Sequence, residues 1–385
     1  MKSIHVLVAT AEWENDQLRY RRHRLAEYLQ KQEKTAEVIW LCPGKSLDSE
    51  AVEILPNGIK QWKVADLGDN KLLRFSRFIS IFYKKKLEKL VAYLQAKQSA
   101  YDINLWYTYP AFPILAEMFP WRKIVYDCSD LWAASIDGNK SAVNMLKYKI
   151  IQSSESRIIE SAHTVTCTSV YLAEQVKDKL PIPKQKKVYT YENGVDFSLF
   201  QHNEKAVHVL ADKGNGPVLG YIGGIKPKLD FALIQEAAEQ RKDWQFLFVG
   251  PDGTNQSEEF QKLLKLPNVT WTGSVPPTLV SHYMNLIDIG IMPYKPSTYN
   301  KAIFPLKLFE FLAAGKAVIG TNLPSTKRYA ENGIYTHLEG TSVSSFLKAC
   351  EEIRINKAET ETAERRISLA KTKDWNMIFA QMMEL

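Results

Sequence analysis

The chain has 385 residues, of which 45% are hydrophobic, 11% aromatic and 24% charged, with 18 glycines and 17 prolines. This excludes a fibrous or disordered polymer and leaves apolar material for two cores at about 100–200 residues per domain. No apolar run reaches the ~20 residues of a membrane span, the opening Met1–Thr10 is too short for a secretory signal, and Cys42, Cys128, Cys167 and Cys350 form no C-x-x-C pair, which points to a cytoplasmic protein without disulfides or structural zinc.

The net charge of +7 is unevenly spread. Residues 1–190 hold 29 of the 50 Lys and Arg and 21 of the 43 Asp and Glu, whereas the remainder is balanced to within one charge. All the basic excess therefore lies in the first half. Such asymmetry suits an anionic partner, either a membrane surface or a phosphorylated acceptor, although a solvated lysine-rich surface explains it equally well.

In chain order, Ile4–Ala9 is a short apolar, β-branched run that predicts a first strand. A polar loop to Leu18 leads into a helix at Arg22–Gln30, where Leu25, Ala26 and Leu29 fall at helical spacing. Further strands are expected at Glu37–Leu41, Ile103–Tyr107, Lys123–Asp127 and Thr164–Cys167, with a helix from about Val143 to Ser161 between the last two. After a weak polar stretch (202–217) the pattern restarts with a strand at Val218–Ile222, a glycine turn and a helix at Phe231–Gln240. Strands at Trp244–Val249, Val269–Thr272, Ile287–Met292 and Ala317–Thr321 complete it. Strands alternating with helices predict parallel sheets, hence two Rossmann-like units in tandem: domains 1–205 and 206–370, with a last helix in 371–385. Ligands in such sheets sit beyond the carboxyl ends of the strands, so the chemistry is to be sought in the loops that follow them.

Two of those loops stand out. Gly220-Tyr221-Ile222-Gly223-Gly224 lets backbone N–H groups approach a phosphate, but it lacks the G-x-G-x-x-G spacing and no Walker A sequence is present, so a plain tight turn fits too. In Phe304–Ile319, Pro305 suits a first helical turn and Gly315 a helix end, while Lys307 and Glu310 share one face. That pair could hold a diphosphate and a ribose diol; taken alone, a surface salt bridge explains it as well.

The run P-x-K-x-x-E-x-x-A-x-G at Pro305–Gly315 closely resembles the donor-site motif of GT-B nucleotide-sugar glycosyltransferases. The likeness continues in Ser161–Ser169 (similar to the family's A-D-x-V-x-x-x-S strand), in Asn193–Phe200 (similar to its N-G-V-D-x-x-x-F linker), in Phe248–Pro251 and Val269–Val275 (where its base loops fall), and in Leu286–Tyr294. The resemblance implies two facing Rossmann-like domains, an acceptor held by the first, a nucleotide-sugar by the second, and a last helix crossing back to the first. It also implies that Lys307 contacts the diphosphate and Glu310 the ribose. Gly223 and Gly224 would donate N–H groups to the diphosphate, and the base would lie between Gly250-Pro251 and Thr272–Val275. Lys226 or Lys228 would add positive charge, although the common G-R-x-x-x-K-G arrangement is missing. Many retaining members carry two glutamates separated by seven residues; here the first falls on Ala302, which leaves the sugar contact and the stereochemical outcome open.

On the acceptor side, Tyr126–Trp132 looks like the Y-D-x-x-D segment of bacterial polysaccharide-assembly transferases. Asp127, and secondarily Asp130, are candidate proton acceptors for the attacking hydroxyl. A strand-end Asp capping the next helix is the alternative. No D-x-D sequence occurs, so no metal cofactor is expected. Arg19–Arg24 is a cluster in which Arg21, Arg22 and His23 are candidates for phosphate or acceptor binding. In Lys71–Lys86, Leu72, Phe75, Ile79 and Phe82 fall on one helical face; Phe75, Phe78, Ile79, Phe82, Lys84, Lys85 and Lys86 are expected to meet an anionic membrane, an ordinary packed helix with a lysine-rich end being the alternative.

These features predict a metal-independent glycosyltransferase, peripheral on the inner face of the cytoplasmic membrane. It would move a sugar from a nucleotide diphosphate donor, UDP favoured, to a glycan or polyprenyl-diphosphate-linked acceptor. No nucleic acid partner is expected. A narrower resemblance, carried by Ala9–Trp13, Arg19–Glu27 and Tyr126–Trp132, is to the teichuronic acid biosynthesis glycosyltransferases of Gram-positive bacteria. It implies UDP-glucuronate or UDP-N-acetylgalactosamine as donor candidates. A sugar-nucleotide epimerase and a non-catalytic nucleotide-sugar-binding partner are the alternatives.

Overall fold

A computed structural model describes residues 1–15, 19–45, 52–68, 70, 73–136, 141–201, 216–331, 333–355 and 359–385. The chain divides by packing into two units. The first contains Met1–Ser135, most of the segment up to Glu192, and Phe379–Leu385; the second is essentially Asn193–Ile378. The 205/206 boundary expected from sequence lies outside the described residues.

The first unit has eight strands: β1 (Lys2–Val8), β2 (Thr35–Gly44), β3 (Val52–Ile54), β4 (Lys60–Ala65), β5 (Tyr101–Tyr107), β6 (Lys123–Cys128), β7 (Thr164–Cys167) and β8 (Val188–Thr190). Their order is β3-β4-β2-β1-β5-β6-β7-β8, parallel throughout except that β3 runs antiparallel to β4 at the edge. Burial on both faces is why the centre reads as unbroken apolar runs: Ile4 to Val8 is buried at every residue. Chain order reverses between β1 and β5, and the loops there define the unit's crevice.

The second unit has β9 (Val218–Ile222), β10 (Gln245–Val249), β11 (Val269–Trp271), β12 (Ile289–Pro293), β13 (Ala317–Thr321) and β14 (Tyr335–Leu338), all parallel, in the order β11-β10-β9-β12-β13-β14. This is the nucleotide-binding strand order, with its switch point between β9 and β12. The glycine turn and the Lys307 helix thus lie beyond the ends of strands that flank the switch. Gly290 in β12 sets the depth of that helix. A Cβ there would come within 2.6 Å of the Phe311 ring, so the missing side chain lets the helix Lys307–Ala313 press its ring onto the strand.

The last helix, Trp375–Met383, has its C-terminal half in the first unit, where Phe379 packs against Tyr28 at 5.5 Å. Strands β3, β4, β8 and β14 were not expected. β3 and β8 have three residues each, and β4 alternates Lys60 and Lys63 with buried positions, so none offers an apolar run.

Candidate functional site

The expected donor side, in the second unit, is built by backbone. After β9, Gly223 turns at φ +132° and Gly250, after β10, at φ +136°, values that suit glycine. The two turns are stacked: a Cβ on Gly250 would sit 2.3 Å from the Gly223 carbonyl oxygen, and one on Gly223 would sit 2.0 Å from Lys307 Cε. Lys307 therefore lies across Gly223. Burial pushes the Lys307 pKa below the ordinary lysine value, Lys226 adds to that, and Glu310 opposes it. Among the described residues Lys307 has no ion-pair partner. The Gly223 N–H is spent on the Val249 carbonyl (2.7 Å), which corrects the expectation that it points to a diphosphate. Gly224 is different. It is buried, its carbonyl accepts from Tyr221 Oη (3.2 Å), and no described group accepts its N–H. The half-buried Lys307 ammonium and the buried Gly224 N–H together present positive charge and a hydrogen-bond donor of the kind that suits an anionic ligand.

Gly250 gives its N–H to the Gly273 carbonyl (2.8 Å) and its carbonyl to Trp271 Nε1 (2.9 Å), so it spaces the turns and has no backbone group left for a ligand. Thr272 donates its N–H to the Phe248 carbonyl (3.0 Å), and Val275 is half-buried against the core. Lys228 lies 5.2 Å from the Tyr294 ring and 5.8 Å from the Tyr299 ring. Burial raises Tyr294 to about 12. Sequence reasoning missed Asn300, which is fully buried two residues before Ala302. Its amide donates to the Lys228 carbonyl (3.1 Å) and the Lys295 carbonyl (2.7 Å), and this holds the loop where a glutamate is missing. Asn193, quoted only as a motif residue, donates to the Phe304 carbonyl (2.6 Å) and fixes the entry to the Lys307 helix.

A family model described as "Glycosyl transferases group 1" matches residues 216–354, the unit that carries this geometry. A Bacillus subtilis (strain 168) protein, TuaH, whose name assigns it to teichuronic acid biosynthesis as a glycosyltransferase, is 50% identical over 383 residues, 99% of this chain and 96% of that protein. The chain belongs to the group 1 glycosyltransferases. Solved structures with the same fold include a sucrose-phosphate synthase from Thermosynechococcus elongatus (TM-score 0.71, 16% identity, covering 100% of this chain and 98% of that one). Another is Anabaena HepE, in complex with UDP-glucose (TM-score 0.69, 13% identity, 99% and 98% covered). The fold is GT-B, as the motifs implied.

The first unit of this glycosyltransferase departs from the sequence reading. Asp127 is 1% exposed, and Arg21 Nε donates to both its oxygens (2.8 and 3.1 Å) while Thr166 Oγ1 donates to one (2.8 Å). Arg21 also reaches the Glu192 carbonyl (3.0 Å) and Met382 Sδ (3.0 Å), with the Phe379 ring 5.7 Å from its guanidinium carbon. Asp127 and Arg21 thus form a buried ion pair that clamps the exit of the chain at Glu192 and its return at Phe379. Neither charge faces solvent, so the contacts seen for the expected proton acceptor and phosphate ligand are structural ones. His23 is not a surface group either. Its Nδ1 accepts the Tyr20 N–H (3.2 Å), and its ring lies 4.7 Å from Trp13 and 4.9 Å from Trp40. Burial, reinforced by Arg22 and Arg19, lowers its pKa to about 3, so it stays neutral. Arg22 stacks on Tyr20 at 4.4 Å and remains half-exposed. Asp130, half-buried with Oδ1 accepting the Leu131 N–H (2.8 Å), is the carboxylate of the pair that reaches solvent.

The amphipathic helix expected at Lys71–Lys86 is not formed; Lys71 and Leu72 lie outside the described residues. Instead, two 3₁₀ segments, Leu73–Phe78 and Ser80–Phe82, precede a helix at Lys84–Gln95. Phe78 is buried edge-on against Tyr109 (5.5 Å), and Phe75 and Ile79 are half-buried. Lys86 donates to the Ala65 (2.5 Å) and Asp66 (3.2 Å) carbonyls. Phe78 and Lys86 are therefore removed from the expected membrane face. Phe82, Lys84 and Lys85 stay exposed.

Proposed function

We propose that this glycosyltransferase takes a sugar from a UDP-linked donor and passes it to a hydroxyl of a lipid-linked glycan at the inner face of the cytoplasmic membrane. The pathway is assembly of a cell-surface polysaccharide of the teichuronic acid class. The observation that carries the donor half is Lys307 lying across Gly223, next to the unpaired Gly224 N–H. A diphosphate satisfies both, and positive charge fixed there stabilises the leaving UDP as the glycosidic bond breaks. Lys226 adds to the field, Glu310 takes the ribose hydroxyls, and the Gly250 and Thr272–Val275 loops frame the base. Asp130 is the carboxylate assigned to the acceptor hydroxyl. The teichuronic acid class rests on the B. subtilis relative, and the choice of UDP on the HepE complexes with UDP and UDP-glucose. The lipid-linked acceptor rests on the basic excess of the first half.

Calorimetry with UDP, GDP and ADP, with and without magnesium, tests the donor half. Expected are magnesium-independent UDP binding and at least a tenfold loss in Lys307→Ala. GDP binding alone would move the donor to another nucleotide. Binding to none of the three would remove the proposal.

A further inference from the structure

We infer that the membrane-docking face of the first unit is made by two separate chain segments, and that its tip is the start of the helix Ala142–Ser161. The inference rests on the reading that the enzyme works at a membrane; it adds which surface meets the lipid. The C-terminal half of that helix is anchored by buried Ile151, Ile158 and Ile159. Its first two turns are exposed nearly all round, yet apolar: Leu146 is 61% exposed, Met145 57% and Val143 51%. On the second segment, Ile81 is 80% exposed. The segments pack against each other: Lys147 Nζ lies 4.9 Å from the Phe75 ring, and Arg157, further along the same helix, bonds Ser80 Oγ.

Charge decides what covers these segments. Residues 70–87 contain six Lys and Arg and residues 138–154 contain three Lys, and neither stretch has an acid. Two of these nine are tied down, Arg77 to Asp66 and Lys86 to backbone carbonyls. Arg74, Lys84, Lys85 and Lys149 are exposed on the two segments, and exposed Glu117, paired to Arg157, lies near Ser80. A large exposed apolar patch marks an interaction surface, and exposed apolar side chains on segments rich in cations match the acyl boundary and anionic headgroups of a bilayer. An acidic protein or a second copy would meet the same cations but gives no reason for apolar side chains all round a helix.

Flotation with phosphatidylglycerol-containing vesicles and with pure phosphatidylcholine vesicles tests this on the full chain. Wild type should bind the anionic vesicles at least tenfold more tightly than the neutral ones. The double variant Val143→Ser, Leu146→Ser should lose at least tenfold of that binding with an unchanged melting temperature. If that variant binds as wild type does, the docking face lies elsewhere and this inference fails while the membrane reading stands. If wild type binds no vesicle, the membrane reading fails and this inference with it. A dimer in solution that the same variant dissociates would show the face to be a contact between copies, and would overturn it too.

Discussion

Asp127→Ala separates a structural carboxylate from a chemical one. The substitution takes from the Arg21 guanidinium, whose side chain is 4% exposed, the carboxylate that its Nε bonds through both oxygens. Removing one member of a buried ion pair costs about 3–5 kcal/mol because the other charge is left uncompensated. The Thr166 hydroxyl also loses its acceptor, an effect of about 1 kcal/mol that is not additive with the first. A loss near 4 kcal/mol is a large part of the ~5–15 kcal/mol that holds a domain folded. The urea transition of the first unit should therefore fall clearly. The pair Arg21→Met with Asp127→Leu, which removes both charges, should recover most of the loss, since an apolar replacement of a buried pair is often neutral or stabilising. Urea unfolding followed by far-ultraviolet circular dichroism on the single variants and the double variant gives the coupling directly. If Asp127→Ala unfolds with wild type while sugar transfer collapses, the structural argument is wrong and the carboxylate is chemical after all.

Gly223→Ala puts a methyl where Lys307 lies and asks an L-residue to hold φ +132°, so UDP affinity should drop at least tenfold; unchanged calorimetric binding would refute the stacked-turn geometry. Gly290→Ala forces the Phe311 ring off β12 and should cost about 1–3 kcal/mol in urea unfolding; no shift in midpoint would show that the helix is not seated by that contact. His5 and His23 are both buried, with folded pKa values lowered from 6.5 to about 4 and about 3, chiefly by desolvation. Below pH 6.5 the unfolded chain therefore binds more protons than the folded one, and stability falls with pH. At pH 5.5 the two together cost about 3 kcal/mol relative to pH 7.5, and a urea midpoint that stays level between those values would contradict their burial.

The alternation of apolar strands and amphipathic helices made both parallel sheets legible, because central strands covered on two faces are mostly apolar. β7, β9 and β13 fall where their apolar runs predict. The first unit was harder to read. Charge cannot by itself distinguish Arg21, drawn into the core by Asp127, from Arg22, left outside on Tyr20, since the two are neighbours and differ only in the face they present. His23 sits two residues past Arg21 on a helix and is enclosed by Trp13 and Trp40, which come from a distant loop and strand. The run to Lys86 carries a helical period but is folded as short turns, because Arg77 and Tyr83 both bond Asp66 and bend the chain onto the end of β4. Long-range partners override local period in each case.

The second unit was legible for the opposite reason: packing fixes its spacing. In the helix Lys307–Ala313, Leu308, Phe309, Phe311, Leu312 and Ala313 are buried. Only Lys307 and Glu310 remain half-buried, so the two polar positions of a seven-residue helix are dictated by the five apolar ones. Behind them, Phe311 seats on Gly290, and fully buried Arg366 donates to the Gly315 carbonyl (2.8 Å) just past the helix end. In front, Gly223 leaves the lane in which Lys307 lies. The motif therefore records a mechanical constraint as much as a chemical one. A residue change at Gly290 or Arg366 should move the Lys307 ammonium without touching it, whereas one at Gly223 meets the Lys307 side chain directly, and only at Gly223 should the effect on UDP affinity exceed the effect on the urea midpoint.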